Sequence, residues 1–375
     1  MTYLDHAAAT PLSDRARYAM EPFLSEQFFN PSSPFIQGKD TRDAYNTAKQ
    51  TIGTSIGAKG SNIVITASAT ESNNLAFTCL EAGAQILISP IEHPSVYRVA
   101  EARGNLEYMA VDEHGRVSLD DIKQKITPEL EFISLALANH ELGTIQPISE
   151  IAALVRTERL RRLEAGEKRQ LILHTDASAA LNTLQISVAR LGVDLMTFSS
   201  AKIYGPKGVA ALYVSPEVRL KPLIVGGGQE NGLISGTENV PGVIGFSVAI
   251  KDAQEHAPAE AKRLTKLKQI LVNEFPAIDF KHQLSSHVPL IFDGLDAERL
   301  IYLLEDRDVL VTTGAACSAS KGQKSNVLTA INLTDNQIAG SLRLTLGRLN
   351  DESSIREATA IIKEVVSMEK KRVEG

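Results

Sequence analysis

Phe198-Ser199-Ser200-Ala201-Lys202-Ile203-Tyr204-Gly205-Pro206-Lys207-Gly208 is the stretch whose reading decides the rest of the chain. An apolar run, Val193 to Phe198, leads into it, and a second, Val209 to Val214, leads out. Both have the length and the Val, Phe, Leu and Tyr content of buried strands. Between them lie two serines, a lysine and the breaker Gly205-Pro206. Lys202 is therefore expected at a strand end, beside hydroxyls able to hold a ligand. A lysine in a partly dry site has a lowered pKa and is nucleophilic enough to form a Schiff base. A tight hairpin with a solvated lysine would produce the same stretch, so the flanking sequence has to separate the two readings.

Working outward, strands alternate with helices. Asn62 to Thr66, Ala84 to Ser89, Leu106 to Val111, Phe132 to Ala138 and Leu171 to His174 read as strands. Arg42 to Ile56, a segment holding Leu75, Phe77 and Leu80, and Ile148 to Ala165 read as helices. Repeated strand–helix units imply a mostly parallel sheet covered on both faces. In such sheets ligands bind beyond the carboxyl ends of the strands. Thr70, His93, Asn139, Asp176 and Lys202 each fall just after a predicted strand, which is the physical reason to expect them in one site. Ser68 with Glu71 fits a capping box, and free backbone N–H groups at such a helix start favour an anion.

Ala259 to Phe275 is predicted as an amphipathic helix, with Leu264, Leu267, Ile270 and Leu271 on one side. A domain boundary near its start gives a large domain over 13–256 and a small α+β domain made of 1–12 and 257–375. In the small domain, Val311 to Gly322 is a run of small residues around Cys317. Gly226-Gly227-Gly228 lacks the strand–turn–helix context of a dinucleotide fingerprint, which leaves little support for a dehydrogenase.

The 375-residue length accommodates two domains. A net charge of −6 argues against a general nucleic-acid binder. No apolar run approaches the ~20 residues needed to span a bilayer. The opening Met1-Thr2-Tyr3-Leu4-Asp5-His6 has no signal-peptide pattern, and the two cysteines, Cys79 and Cys317, suggest neither a disulfide framework nor a zinc site. The expectation is a protein of the reducing cytoplasm that needs no membrane and no nucleic acid.

Read in order, these motifs resemble the cysteine desulfurases, pyridoxal 5'-phosphate (PLP) enzymes of the class V aminotransferase group. The resemblance rests on Tyr-Leu-Asp-His-Ala-Ala-Ala-Thr-Pro from Tyr3, Ala-Thr-Glu-Ser-Asn-Asn from Ala69, Glu92-His93, Asn-x-Glu-x-Gly from Asn139 and His-x-Asp-Ala from His174. It continues through the Lys202 stretch, Gly-Gly-Gly-Gln-Glu from Gly226, Ser-Gly-Thr-Glu-Asn from Ser235, Gly-x-Ala-Cys-Ser from Gly314 and Leu-Arg-x-x-Leu-Gly-Arg from Leu342. It covers nearly the whole chain and implies an α/β PLP-dependent transferase of fold type I. The long Cys317 loop looks like the branch serving iron–sulfur cluster assembly and tRNA thiolation.

The resemblance also implies roles. Lys202 would hold PLP and move the substrate Cα proton. Asp176 would pair with the pyridine nitrogen. His93 would stack on the ring and assist proton transfer. Asn139 would hydrogen-bond the phenolic oxygen and lie against the substrate. Ala69 backbone, Thr70 and Ser199 would hold the phosphate, and Thr237 would reach the phosphate of a neighbouring subunit, which implies a homodimer with shared sites. Arg343 would bind the carboxylate of L-cysteine. Cys317, as thiolate, would take the substrate sulfur as a persulfide for a sulfur-acceptor protein, leaving alanine.

The chain departs from the family pattern at Ala201 and Ala179, where His and Gln are usual, at Asn231 and Ile234, where arginines are common, and at Ser68, which replaces Gly. Three alternatives stay open from sequence alone: a selenocysteine lyase, another class V lyase, or a weakened PLP-fold dimer acting as a binding partner.

Overall fold

A computed structural model describes residues 1–314 and 324–374. Its strands are β1 (Thr2–Tyr3), β2 (Ile63–Thr66), β3 (Gln85–Ile88), β4 (Leu106–Tyr108), β5 (Leu130–Ser134), β6 (Ile172–Asp176), β7 (Leu195–Ser199), β8 (Ala210–Val214), β9 (His287–Ile291), β10 (Val309–Leu310), β11 (Thr312–Thr313) and β12 (Ser341–Thr345). Seven of them form one sheet in the order β2-β8-β7-β6-β5-β3-β4. Strand β8 runs antiparallel to both neighbours, and the other pairings are parallel. Strands β2, β3, β5, β6 and β7 therefore end on the same side of the sheet.

Adjacent residues of the central strands enter opposite cores. Ile133, Leu173 and Met196 pack into one, and Phe132, Ile172 and Leu195 into the other. This is the two-residue period of a strand covered on both faces, and it explains the continuous apolar runs seen in the sequence.

A separate core lies against the antiparallel sheet β11-β12-β9. It gathers Leu264, Leu267 and Leu271 with Leu300, Leu304, Ile355 and Ile362. The N-terminal segment joins this side, through β1 paired with β10 and a bridge from Asp5 to Thr345.

One helix, Val240–Val272, serves both cores: Val243, Phe246 and Ile250 belong to the large one, and Leu264, Leu267 and Leu271 to the other. The sequence predicts only its second half. Asn239 caps it by accepting from Gly242 N–H at 3.1 Å, and Pro241 sits in the first turn, where no N–H is needed. Pro258 invites a break, but packing on two cores holds the helix through it.

A fourth apolar cluster is small. Ile91 and Leu142, from two turns beyond the large sheet, pack with Val327, Leu328 and Ile331. Among the described residues no helix is long and apolar enough to cross a membrane.

Candidate active site

Beyond the carboxyl ends of β2, β3, β5, β6 and β7 lies a cavity of about 310 Å³, within the roughly 300–1,000 Å³ typical of small-molecule sites. Ala69, Thr70, His93, Asp176, Ser199, Lys202 and Arg343 all line it. Residues separated by up to 274 positions (69 to 343) thus converge because their strands end on one side. Thr237 is exposed and does not line this cavity, and Cys317 lies outside the described residues.

Asp176, at the end of β6, is buried. Its Oδ1 accepts from Ser178 N–H at 2.9 Å and its Oδ2 from Asn73 Nδ2 at 3.0 Å. The same Asn73 nitrogen donates to Ser95 Oγ at 2.8 Å. Ser95 in turn contacts His93 Nδ1 with its hydroxyl at 2.8 Å and donates its N–H to that nitrogen at 3.1 Å. An accepting Nδ1 places the proton of the neutral ring on Nε2. Burial, then the nearby Lys202, pushes His93 down to about 4, so the ring is neutral at neutral pH.

Lys202 follows β7 in a short 3-10 turn, and Asn182 Nδ2 donates to its carbonyl. Two residues on, Tyr204 has a positive φ of 64°. That conformation is held from several directions. Tyr204 N–H donates to Thr10 Oγ1 at 2.7 Å, its hydroxyl accepts from Arg348 N–H at 2.6 Å, and the Arg348 guanidinium stacks over its ring at 4.4 Å. A Cβ at Gly205 would strike the Ser200 hydroxyl, so the breaker seen in the sequence is sterically required. Local strain maintained by surrounding contacts is common at functional sites.

Arg343, in the middle of β12, is buried. It donates to Asp5 Oδ1 at 2.7 Å and to the His140 carbonyl at 3.2 Å. Its Nε has no partner among the described residues, which leaves a buried donor at the cavity for a carboxylate.

Asn139 is not among the residues lining the cavity. Its Oδ1 accepts from Glu141 N–H at 2.9 Å and Leu142 N–H at 2.8 Å, and its Nδ2 donates to the Ile91 carbonyl at 2.8 Å. The amide is thus committed to shaping the turn, which closes at Gly143 with φ of 76°. His140 lines the cavity instead, with its ring 5.0 Å from that of His93. Burial and the neighbouring His93 and Lys202 hold His140 well below the usual histidine range.

Two buried carboxyls lie within motifs quoted above but had no role assigned from the sequence. Glu92 lines the cavity, accepts from Ala136 N–H at 2.8 Å, and is pushed by burial up to about 8. Glu141 accepts from the Ser325 hydroxyl at 2.6 Å and is pushed by burial up to about 7. Asn73 and Asp5, which lie in motifs quoted above, and Ser95, which does not, likewise had no role assigned from the sequence, because each acts on another side chain. The expected capping box is half formed: Ser68 Oγ accepts from Glu71 N–H at 3.2 Å, but Glu71 accepts from Ala67 N–H.

The donor set suits a phosphorylated pyridine aldehyde. Lys202 offers an amine, Asp176 a partner for a protonated ring nitrogen, and the start of helix Ala69–Ala76 with Thr70 and Ser199 an anion site. The buried Ser178 hydroxyl, also on the cavity, has no partner among the described residues. Ala179 lines the wall and adds no donor.

A profile of the class-V aminotransferase family matches residues 2–357. Cysteine desulfurase IscS 1 of Archaeoglobus fulgidus is 36% identical, with 98% of this chain and 97% of the relative aligned. A solved NifS-like protein superposes with a TM-score of 0.90 at 29% identity, covering 98% of this chain and 99% of the other. SspA, solved in complex with cysteine, gives 0.79 at 32% identity, covering 92% and 99%. The chain belongs to the class-V aminotransferase family. Its relatives by sequence are cysteine desulfurases, and the family is PLP-dependent.

Proposed function

We propose that this chain is a PLP-dependent cysteine desulfurase that converts L-cysteine to L-alanine and carries the sulfur as a persulfide on Cys317. The observation that carries this reading is the meeting of Lys202, His93, Asp176 and Arg343 on one cavity.

PLP would be held by the Lys202 amine, by Asp176 at its ring nitrogen, and by Thr70, Ser199 and the Ala69 N–H at its phosphate. When bound it supplies an electron sink for the substrate carbon. Arg343 binds the substrate carboxylate with donors left by Asp5 and the His140 carbonyl. Lys202 moves the Cα proton. His93, neutral with its proton on Nε2, is placed to exchange a proton at that atom. The Cys317 thiolate attacks the substrate sulfur. An S–S bond forms, the substrate C–S bond breaks with its electron pair passing to carbon, and protonation of that carbon completes alanine.

Thr237, exposed on its loop, supports a homodimer in which each chain completes the partner's phosphate site. The persulfide would pass to a sulfur-acceptor protein in the cytoplasm, in iron–sulfur cluster assembly or tRNA thiolation. The test is alanine formation from L-cysteine with PLP and a reductant, comparing the parent with Cys317→Ala. Alanine from the parent alone is the expected result. No alanine from the parent at saturating PLP would shift the assignment to a binding role or another substrate.

A further inference from the structure

The described residues on either side of Cys317 are held by groups on or beside the cavity. Before Cys317, Thr312 of β11 pairs with Arg343 of β12, and Gly314 N–H donates to the Ser341 carbonyl at 3.2 Å. After it, Ser325 is fully buried. Its hydroxyl donates to Glu141 Oε2 at 2.6 Å and accepts from Leu328 N–H at 3.1 Å. Next to it, Asn326 Nδ2 donates to the Pro90 carbonyl at 3.0 Å.

Glu141 is itself fixed. Its N–H is taken by Asn139 Oδ1, its other carboxyl oxygen lies 3.6 Å from His140 Nε2, and its side chain is almost completely buried. The apolar cluster of Ile91 and Leu142 with Val327 and Leu328 seals the same contact. The two turns meeting Ser325 and Asn326 are those carrying His93 and His140. A buried hydrogen bond to a carboxyl is costly to leave unmade, so this junction has one preferred geometry.

We infer that Glu141 is a positioning residue for sulfur transfer: through Ser325 it fixes where the chain returns from Cys317 against the turns that carry His93 and His140. The inference rests on the reading of Cys317 as nucleophile. Neither Glu141 nor Ser325 lines the cavity, and Arg343 is held by Asp5 and a backbone carbonyl, so the effect belongs in kcat.

The experiment uses the PLP-loaded enzyme and measures kcat and KM for alanine formation, the cofactor absorption band and the melting temperature. Ser325→Ala is expected to lower kcat about tenfold, the scale of one hydrogen bond to a carboxyl, with KM and the band unchanged. Ser325→Thr, which keeps the hydroxyl, is expected to restore most of kcat. Glu141→Gln, which keeps an acceptor oxygen, gives the same rescue test should the threonine variant fold poorly. An unchanged kcat in Ser325→Ala overturns the inference. So does a loss shared with KM or the band, or one that neither conservative variant relieves. Cys317→Ala is run alongside: parental alanine formation there removes the underlying reading too, whereas its loss leaves the Ser325 result to stand or fall alone.

Discussion

The two walls of the cavity are built differently. One is a chain of interlocked polar groups, in which Asp176 is tied to Asn73, Asn73 to Ser95, and Ser95 to His93. The other presents Ala7, Ala8, Ala69 and Ala179, relieved by the hydroxyls of Thr70 and Ser199. The groups proposed to do chemistry are thus held rigidly, while those proposed to grip a phosphate and phenolic oxygen are few. Reaction geometry and cofactor affinity are therefore expected to be separable, each resting on its own set of lining residues.

Asn73→Ala should produce the largest effect. It removes the donor shared by Asp176 and Ser95, and kcat should fall by roughly 10–100-fold, as expected for a lost hydrogen bond to a charged group. Steady-state kinetics with PLP saturating would check it, and an undiminished kcat would show that the polar wall is not an interdependent unit.

Ala179→Gln tests the other wall. It restores the amide common in the resembling sequences, and the PLP dissociation constant should drop several-fold with little change in kcat. A fluorescence or absorbance titration measures this. A large gain in kcat at saturating PLP would erase the distinction between the walls.

The smallest effect concerns stability. Glu92 is pushed up to about 8 in the fold, while an unfolded chain releases that proton near the ordinary carboxyl value. Between those two pH values the folded state binds the extra proton, so its stability declines as pH rises. Glu92→Gln lacks this penalty and should melt several degrees above the parent at pH 8, with no gain at pH 4.5. Equal shifts at both pH values would mean that the carboxyl is not held neutral.

The sequence made the strand ends legible because buried strands are continuous apolar runs and ligand-binding residues follow them. Asp176, His93 and Lys202 could be located that way. Asn139 could not, since an amide is equally suited to a ligand or a turn. Gly143 was the available signal, because a left-handed glycine four residues on marks a turn that needs internal hydrogen bonds. Asp5 and Arg343 are 338 positions apart, and only the β1–β10 pairing and the bridge to β12 reveal their contact. The first half of the Val240–Val272 helix was hidden by Pro258 and by the absence of a one-sided apolar stripe where the helix is enclosed.

That helix is about 50 Å long at 1.5 Å per residue over its 33 residues. It acts as an axle shared by two bodies. The sheet β11-β12-β9 is mounted on its far half and carries both Arg343 and the strand that runs toward Cys317. Under the roles proposed above, a rotation of that sheet about the axle would move the carboxylate clamp and the strand leading to the nucleophile together, as one arm.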